Sequence, residues 1–546
     1  MQIAVLIFVL LILVVISGAA SRLVRVPLPV LQIALGAALA WPVGGIHIAV
    51  EPELFLLVFI PPLLFRDAFA APKRELWELR RPIVALAVGL VCFTVLGFGY
   101  ALHWLVPSVP LAVAFALAAV VSPTDAVAVS SIVDRNSVPS RLMHILEGES
   151  LLNDASGLVM FRFAVAAVLT GHFSIASASA SFLYAVVAGV LCGVVALFVV
   201  TKSLKLIGRI GGVPTEVQVI LMVLLPFAAY LMAEAVEASG ILAAVAAGLL
   251  VGRFTFIGNI SVAARIQANS FWSMLAFIFN GAVFVLLGLQ LPDIIRRVPP
   301  EISSRHAVIE PVATMLLLTL CLIVLRYLWI WASDTGAVLL ARLRGTTARP
   351  FGVRVRLAGS VAGVRGAVTL AGILSLPFAL PDGAPFPARD AVIFLAAGVI
   401  ICSLLLASLT LPVIAKGLVE PGEDTAAIEE RRAWIAAADA AIAYLEGMAA
   451  VQDDDPQAEL RSAAAQSIIA GYRSRIATCD EADDVRKQAR QSAEVETRLR
   501  LAAIKVEHEV LRQMLKRREI NDRTMRRLQG ELTLSEALLR DRKSHR

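Results

Sequence analysis

Charge is scarce over most of this chain. Of its 49 basic and 43 acidic residues, 22 and 23 are crowded into the last 126 of 546 positions. The remainder is so apolar that the whole chain is 58% hydrophobic with a mean hydropathy of +0.79, more than a water-soluble fold of this size has reason to carry. Cysteine is rare as well. Cys92, Cys192, Cys321 and Cys402 fall singly in apolar runs, which excludes a disulfide framework or a thiolate metal set and leaves them as small hydrophobes. No phosphate-cradling glycine loop, nucleophile triad or metal-ligand cluster appears, so ATP-driven transport and hydrolysis are disfavoured and no cofactor is expected. Lysine and arginine are also missing ahead of the first apolar run. Met1–Ala20 therefore lacks the basic segment of a secretory signal and reads as a retained first span. The formal charge of +6 does not point to nucleic acid, because the basic residues outside the tail sit in short loops between apolar runs.

Those runs have the length that crosses a bilayer core as a helix, about 20 residues. The expected fold is an all-α polytopic membrane protein with about thirteen spans: 3–20, 27–48, 52–70, 82–106, 108–133, 141–170, 182–204, 215–236, 239–257, 270–292, 311–341, 355–380 and 391–415. Alternate loops are basic. They hold Arg22 and Arg25; Lys73, Arg74, Arg80 and Arg81; Arg135 and Arg141; Lys202, Lys205 and Arg209; Arg253 and Arg265; and Arg342, Arg344, Arg349, Arg354 and Arg356. The intervening loops are poorer, apart from the one with Arg296, Arg297 and Arg305. The positive-inside rule then puts the N-terminus outside and the charged tail, 421–546, in the cytoplasm.

Against this background, polar residues inside spans demand a reason, since each is costly in hydrocarbon and by default functional. The fifth span reads AVVSPTDAVAVSS. Pro123 removes a backbone donor and should break the helix, and broken backbone at membrane depth is tolerated where it lines a cavity. Asp125 sits beside the break, with Ser122 and Thr124 supplying further oxygens; the plainer reading is a kinked helix whose Asp125 pairs with an arginine. The sixth span carries EGESLLNDASG. Ser150 and Asp154 share a face at a spacing of four, as do Glu149 and Asn153, while Glu147 sits one turn nearer the cytoplasmic end. Hard oxygen ligands at one depth suit a small hard cation or its competitor, the proton.

The twelfth span, LAGSVAGVRGAVTLAGILSLP, has Gly359, Gly363 and Gly366 around Arg365, which permits unwinding or very close packing. If spans one to six and eight to thirteen are inverted repeats, this helix and the proline-broken one occupy equivalent positions and cross near the midplane. Arg365 then has two roles open to it: neutralising Glu149 or Asp125, or capping carbonyls freed at the crossing. Other polar residues carry weaker signals. Asp67 has Arg66 beside it as a ready partner. Glu234 and Glu237 end an outer helix and suit an external funnel or a plain interface. Asn280 suits a helix–helix hydrogen bond, and Arg162 and Arg326 suit either snorkelling or an internal pair.

Together these stretches resemble the monovalent cation:proton antiporter family that includes bacterial NhaP-type and animal sodium/proton exchangers. The matching pieces are PPLLF, SPTDAVAV, GESLLNDA, AEAVEASGILAAVAAGLLVG and GVRGAVTLA, spread over about residues 1–420. The resemblance implies a thirteen-helix homodimer in the cytoplasmic membrane. A mobile core, about 82–170 and 311–415, would work against a dimerisation part, about 1–70 and 182–292. It implies exchange of Na+, with Li+ as a second substrate, for H+. Asp154 would be the ion and proton carrier, with Asp125, Ser150 and Thr124 as its partners in holding Na+. Asn153 would steady the crossed helices, and Glu149 with Arg365 would form a buried ion pair. Related chains often carry glutamate directly after PPLLF; here Arg66 and then Asp67 follow, so Asp67 is not counted as a ligand.

The tail includes an amphipathic stretch whose apolar stripe is Val495, Leu499, Ala502, Val506, Val510 and Met514. It is read either as a bundle that packs on itself or as a surface for regulation or dimer contact. Two other functions compete with this reading. A K+/H+ antiporter differs only in the cation. An intramembrane aspartyl protease also needs two carboxylates, but its Gly-x-Gly-Asp signature is missing, and an adjacent Asn with a proline-broken helix suits ion binding better.

Overall fold

The computed structural model describes residues 2–21, 23–24, 26–41, 52–133, 137–171, 175–211, 213–251, 261–296, 309–345, 350–418, 425–450, 458–477, 483–517 and 519–544. Arg22, Arg25, Arg135, Arg253, Arg297, Arg305 and Arg349, on which part of the orientation rests, lie outside the described residues. The chain divides into two compact units, 1–420 and 421–546. Among the described residues every regular element is helical, and the single bridge pairs Ala379 with Pro385 in a loop.

The first unit opens with α1 (Gln2–Ala20), α2 (Leu28–Ala40) and α3 (Pro52–Ala70). Short α4 (Lys73–Glu78) leads into α5 (Arg80–Val84), a π-helical segment at Ala85–Leu90, and α6 (Val91–Leu105). Next come α7 (Leu111–Val121), α8 (Ala126–Ile132), α9 (Ser140–Thr170), α10 (Ile175–Gly211), α11 (Thr215–Glu234) and α12 (Gly240–Val251). The unit closes with α13 (Val262–Arg296), α14 (Ile309–Leu343), α15 (Val353–Val361), α16 (Ala367–Leu374) and α17 (Arg389–Ala415). Pro27, Pro110, Pro139 and Pro214 immediately precede α2, α7, α9 and α11. Their fixed φ suits a helix start, and the donor they lack would have no partner there.

Among the described residues, seven helices are long and apolar enough to cross a membrane, and the bent pair α7–α8 makes an eighth. Over their described residues Val5–Ala20, Leu28–Ala40 and Gly240–Val251 are apolar but shorter, and 42–48 and 252–257 of the second and ninth expected spans lie outside the described residues. Length and hydropathy thus account for eight of the thirteen expected spans. Two helices outrun their expected bounds: α10 starts at Ile175 rather than 182, and α13 starts at Val262 rather than 270.

Among the described residues of the unit there are four hydrophobic clusters, the smallest formed by Leu86, Leu90 and Ile145. The largest joins α6–α9 to α14–α17 through residues such as Leu117, Leu146, Leu318 and Val399, and takes in Ile33 of α2 and Phe284 and Leu287 of α13. The second joins α1–α3, α12 and α13 to Leu151 and Ala155 of α9 and Ala371 of α16, and the third joins α3 to α10–α13. Backbones approach closely in the second: a Cβ on Gly36 of α2 would meet the Val285 carbonyl of α13, and one on Gly288 would meet the Ile33 carbonyl. Such small-residue seams replace the hydrophobic drive that lipid cannot supply between helices.

The second unit holds α18 (Thr425–Ala450), α19 (Ala458–Ala477), α20 (Asp483–Lys516) and α21 (Asp522–Ser544). Ile504 of α20 is buried, whereas Val495, Leu499, Val506 and Val510 are exposed. Within its own unit, then, α20 packs through a different face from the one its apolar stripe marks.

Candidate functional site

Two helices in the first unit are broken, and the breaks meet. At the first, α7 ends at Val121 and α8 resumes at Ala126 with a 55° bend. Asp125 caps α8: its Oδ1 accepts from the backbone N–H groups of Val127 (2.8 Å) and Ala128 (3.1 Å). At the second, α15 ends at Val361 and α16 begins at Ala367. The Asp125 N–H donates to the Val364 carbonyl at 2.8 Å, tying one break to the other. Arg365 reaches back across the crossing, and its Nη1 donates to the carbonyls of Ser122 (3.2 Å) and Pro123 (3.4 Å). Those are orphan acceptors at the end of α7, so the buried guanidinium supplies what a continuing helix would have supplied.

The middle of α9 packs against this crossing. Glu149 and Asn153 are each 1% exposed and Asp154 is 6% exposed. Thr124 donates its hydroxyl to Glu149 Oε1 at 3.1 Å and accepts from Asn153 Nδ2 at 3.0 Å. Glu149 is held in turn by Arg326 of α14, whose Nη1 and Nη2 donate to Oε1 and Oε2 at 2.5 and 2.6 Å, while its Nε donates to the Gly359 carbonyl at 2.8 Å. This bidentate fork corrects the expected pairing of Glu149 with Arg365. Arg365 is committed to the α7 carbonyls, and the guanidinium facing Glu149 comes from the eleventh span. The sequence signal for it is Arg326 itself, one cation in a long apolar run, which needs a partner at that depth.

Beside the crossing lies a cavity of about 50 Å³. Asp154, Asp125, Ser150 and Thr124 line one wall; Asp67 of α3 and Asn280 of α13 line the other. Ser150 Oγ also accepts from the Ala126 N–H at 3.4 Å. The residues named from sequence therefore divide. Asp154, Asp125, Ser150 and Thr124 border one space, whereas Asn153, Glu149 and Arg365 stand behind it and hold its wall. Asn280, expected as a helix–helix hydrogen bond, faces the same space. So does Asp67, with its Oδ1 2.9 Å from Arg66 Nη1. The arrangement offers carboxylate, hydroxyl and amide oxygens around a volume fit for one small cation.

Comparison with known proteins matches this architecture. Residues 8–417 fit the family model described as "Sodium/hydrogen exchanger, transmembrane". The chain belongs to that family. The exchanger is 42% identical to the uncharacterised Na+/H+ exchanger YjcE of Escherichia coli K12 over 96% of each chain. It is 37% identical to the sodium, potassium, lithium and rubidium/H+ antiporter of Bacillus subtilis 168, over 98% of its own length and 78% of that protein's. Its fold is similar to that of the sodium proton antiporter MjNhaP1 of Methanocaldococcus jannaschii, with a TM-score of 0.57 at 18% identity over 77% of the exchanger and 99% of that chain. It is thus a multi-pass membrane transporter, not an enzyme.

How tightly the exchanger's crossing is packed can be tested at Gly366. A Cβ there would lie 2.6 Å from the Asp125 Cβ and 2.8 Å from its Cγ, and Asp125 cannot yield freely because its carboxylate caps α8. Gly366→Ala should part the two breaks, costing about 1–3 kcal/mol as overpacking does, and should remove most cation-driven proton flux. Parent-like melting and flux in that variant would show slack at the crossing.

Proposed function

We propose that the protein exchanges Na+, and Li+ as a second substrate, for H+ across the cytoplasmic membrane by alternating access, one for one and without net charge movement. The observation that carries this is Asp154, buried beside the meeting point of two broken helices and lining a small cavity with Asp125, Ser150 and Thr124. Burial disfavours a bare carboxylate charge, so Asp154 is compensated by a proton or by a cation, and each must leave before the other binds. That exclusion couples the two fluxes. Asp125, Ser150 and the Thr124 backbone complete the cation's shell, and the Thr124 hydroxyl is occupied by Glu149 and Asn153.

A core moving as one body takes in α5–α9 and α14–α17, and a dimerisation part α1–α3 and α10–α13; the cluster confined to α3 and α10–α13 supports the second, while Ile33, Phe284 and Leu287 in the largest cluster and Leu151, Ala155 and Ala371 in the second pack across the seam between them. We assign the protein thirteen spans, an outer N-terminus, a homodimeric state, and a cytoplasmic tail whose exposed stripe serves regulation or dimer contact. A K+/H+ antiporter is the second reading, favoured by potassium in the name of the Bacillus subtilis relative.

Stoichiometry follows from residue 153. It is asparagine, which cannot titrate, so one carboxylate alternates between ligands while Asp125 keeps one charge state. Each direction then carries one positive charge. Moving a net charge through 100 mV is worth about 2.3 kcal/mol, so even one uncompensated charge would displace the equilibrium strongly. Proteoliposomes read by a pH dye, given Na+, Li+ or K+ gradients, test the substrate. With the potential clamped by valinomycin and potassium, the Na+ and pH gradients at zero net flux should be the same at every potential. A null point that moves with potential refutes one-for-one exchange.

A further inference from the structure

A second cavity, of about 350 Å³, borders α9 from Ala155, the residue next to Asp154, onward. Ala155, Leu158, Arg162, Val165 and Leu169 of α9 line it. These form a helical stripe that starts at Ala155, next to Asp154, and runs in steps of three and four residues. Asp154 itself faces the smaller cavity, and Ile60 of α3 lines both, being 2% exposed. The two spaces therefore share Ile60 as a wall, and Arg162 lies about 12 Å along α9 from Asp154 at 1.5 Å per residue.

The larger cavity is mostly apolar. Glu234, at the end of α11, is the carboxylate among its lining residues, and Arg162 is the cation. They face each other, with Arg162 Nη2 3.4 Å from Glu234 Oε1. Arg162 rides on α9 with the ion site, whereas Glu234 belongs to the part packed around α10–α12. A cation crossing this space meets a single attractive charge, already covered by a guanidinium on the carrier's own helix.

We infer that this cavity is the vestibule through which cation reaches Asp154 from the side on which α9 ends, that Glu234 is its cation-recruiting site, and that Arg162 is a tethered competitor for that site. The inference rests on the antiport reading but has a test of its own. Arg162 is 61% exposed and Glu234 35%, so the pair is solvent-screened and its effect is modest. Arg162→Gln should lower the KM for Na+ two- to fivefold when Na+ is supplied from the face on which α9 ends, and not from the other face. Glu234→Gln should raise it by a similar factor, with kcat little changed in both. The double variant should match Glu234→Gln, because Arg162 acts only by covering Glu234. A merely structural ion pair predicts instead that both single variants lose stability and shift KM the same way.

A readout independent of transport uses Leu169→Cys in the full chain with its native cysteines replaced. The ratio of modification rates by a cationic and an anionic methanethiosulfonate reagent reports the potential in the vestibule. That ratio should rise with Arg162→Gln and fall with Glu234→Gln. If the parent exchanges cations but neither the ratio nor the one-sided KM moves, the vestibule assignment is overturned and the antiport reading stands. If the ratio moves in a parent that exchanges no cation for protons, the cation-recruiting site stands and the antiport reading falls.

Discussion

Asp154→Asn should abolish cation-driven proton flux, a loss of at least a hundredfold, while the protein still folds. The side chain keeps its size and loses only its capacity for charge. Among the described residues, the hydrogen bonds that tie the crossing together run through Thr124, Glu149, Asn153, Arg326 and Arg365, so the substitution removes none of them. What it removes is the alternation. An amide at position 154 neither takes up a proton nor neutralises a cation, and an occupied site without a neutralising charge is costly to carry through an apolar barrier. The core then has no permitted loaded state in either direction. Proteoliposome flux with Na+, Li+ and K+, beside melting of the detergent-solubilised protein, separates loss of function from loss of fold. Parent-like exchange in a stable Asp154→Asn protein would remove Asp154 from the carrier role; an unfolded variant would instead make it structural.

The parts of this site that were readable from sequence are those that local chemistry dictates. Pro123 cannot continue a helix, and the glycines around Arg365 cannot hold one rigid, so both breaks are visible without a structure. Ser150 and Asp154 share a face by spacing alone. The identity of Glu149's partner is different in kind. Two arginines, Arg326 and Arg365, are buried near it, and choosing between them requires knowing that α14 passes 177 positions later within reach of α9. Spacing along the chain carries no such information. Asn280 was hidden for a related reason: α13 is apolar over most of its circumference, so the pattern does not say which side faces the cavity. The π-helical segment at Ala85–Leu90 left no compositional mark either. Its visible partner is tertiary, with Trp329 of α14 donating Nε1–H to the Ala85 carbonyl at 3.0 Å and its ring filling the place a side chain on Gly89 would take.

The same long-range pairing produces the second large effect. Glu149 and Arg326 are 1% and 3% exposed at their side chains, so removing either leaves a charge in low dielectric with no partner, a loss of about 3–5 kcal/mol. Glu149→Gln and Arg326→Met should each shorten sharply the half-life of the detergent-solubilised protein at fixed temperature, the appropriate measure where unfolding is irreversible. Neutralising both together is the sharper experiment. Replacing a whole buried pair with uncharged groups is often nearly neutral, so Glu149→Gln with Arg326→Met should be more stable than either single variant. Glu149→Gln with Arg365→Met should show no such recovery, since Arg365 serves the Ser122 and Pro123 carbonyls instead. Stability recovered in the first double variant need not restore transport, because Thr124 is oriented by the same glutamate. Recovery in the Arg365 double variant but not in the Arg326 one would return the ion pair to Arg365, and additive losses in both would mean that no buried pair holds the crossing.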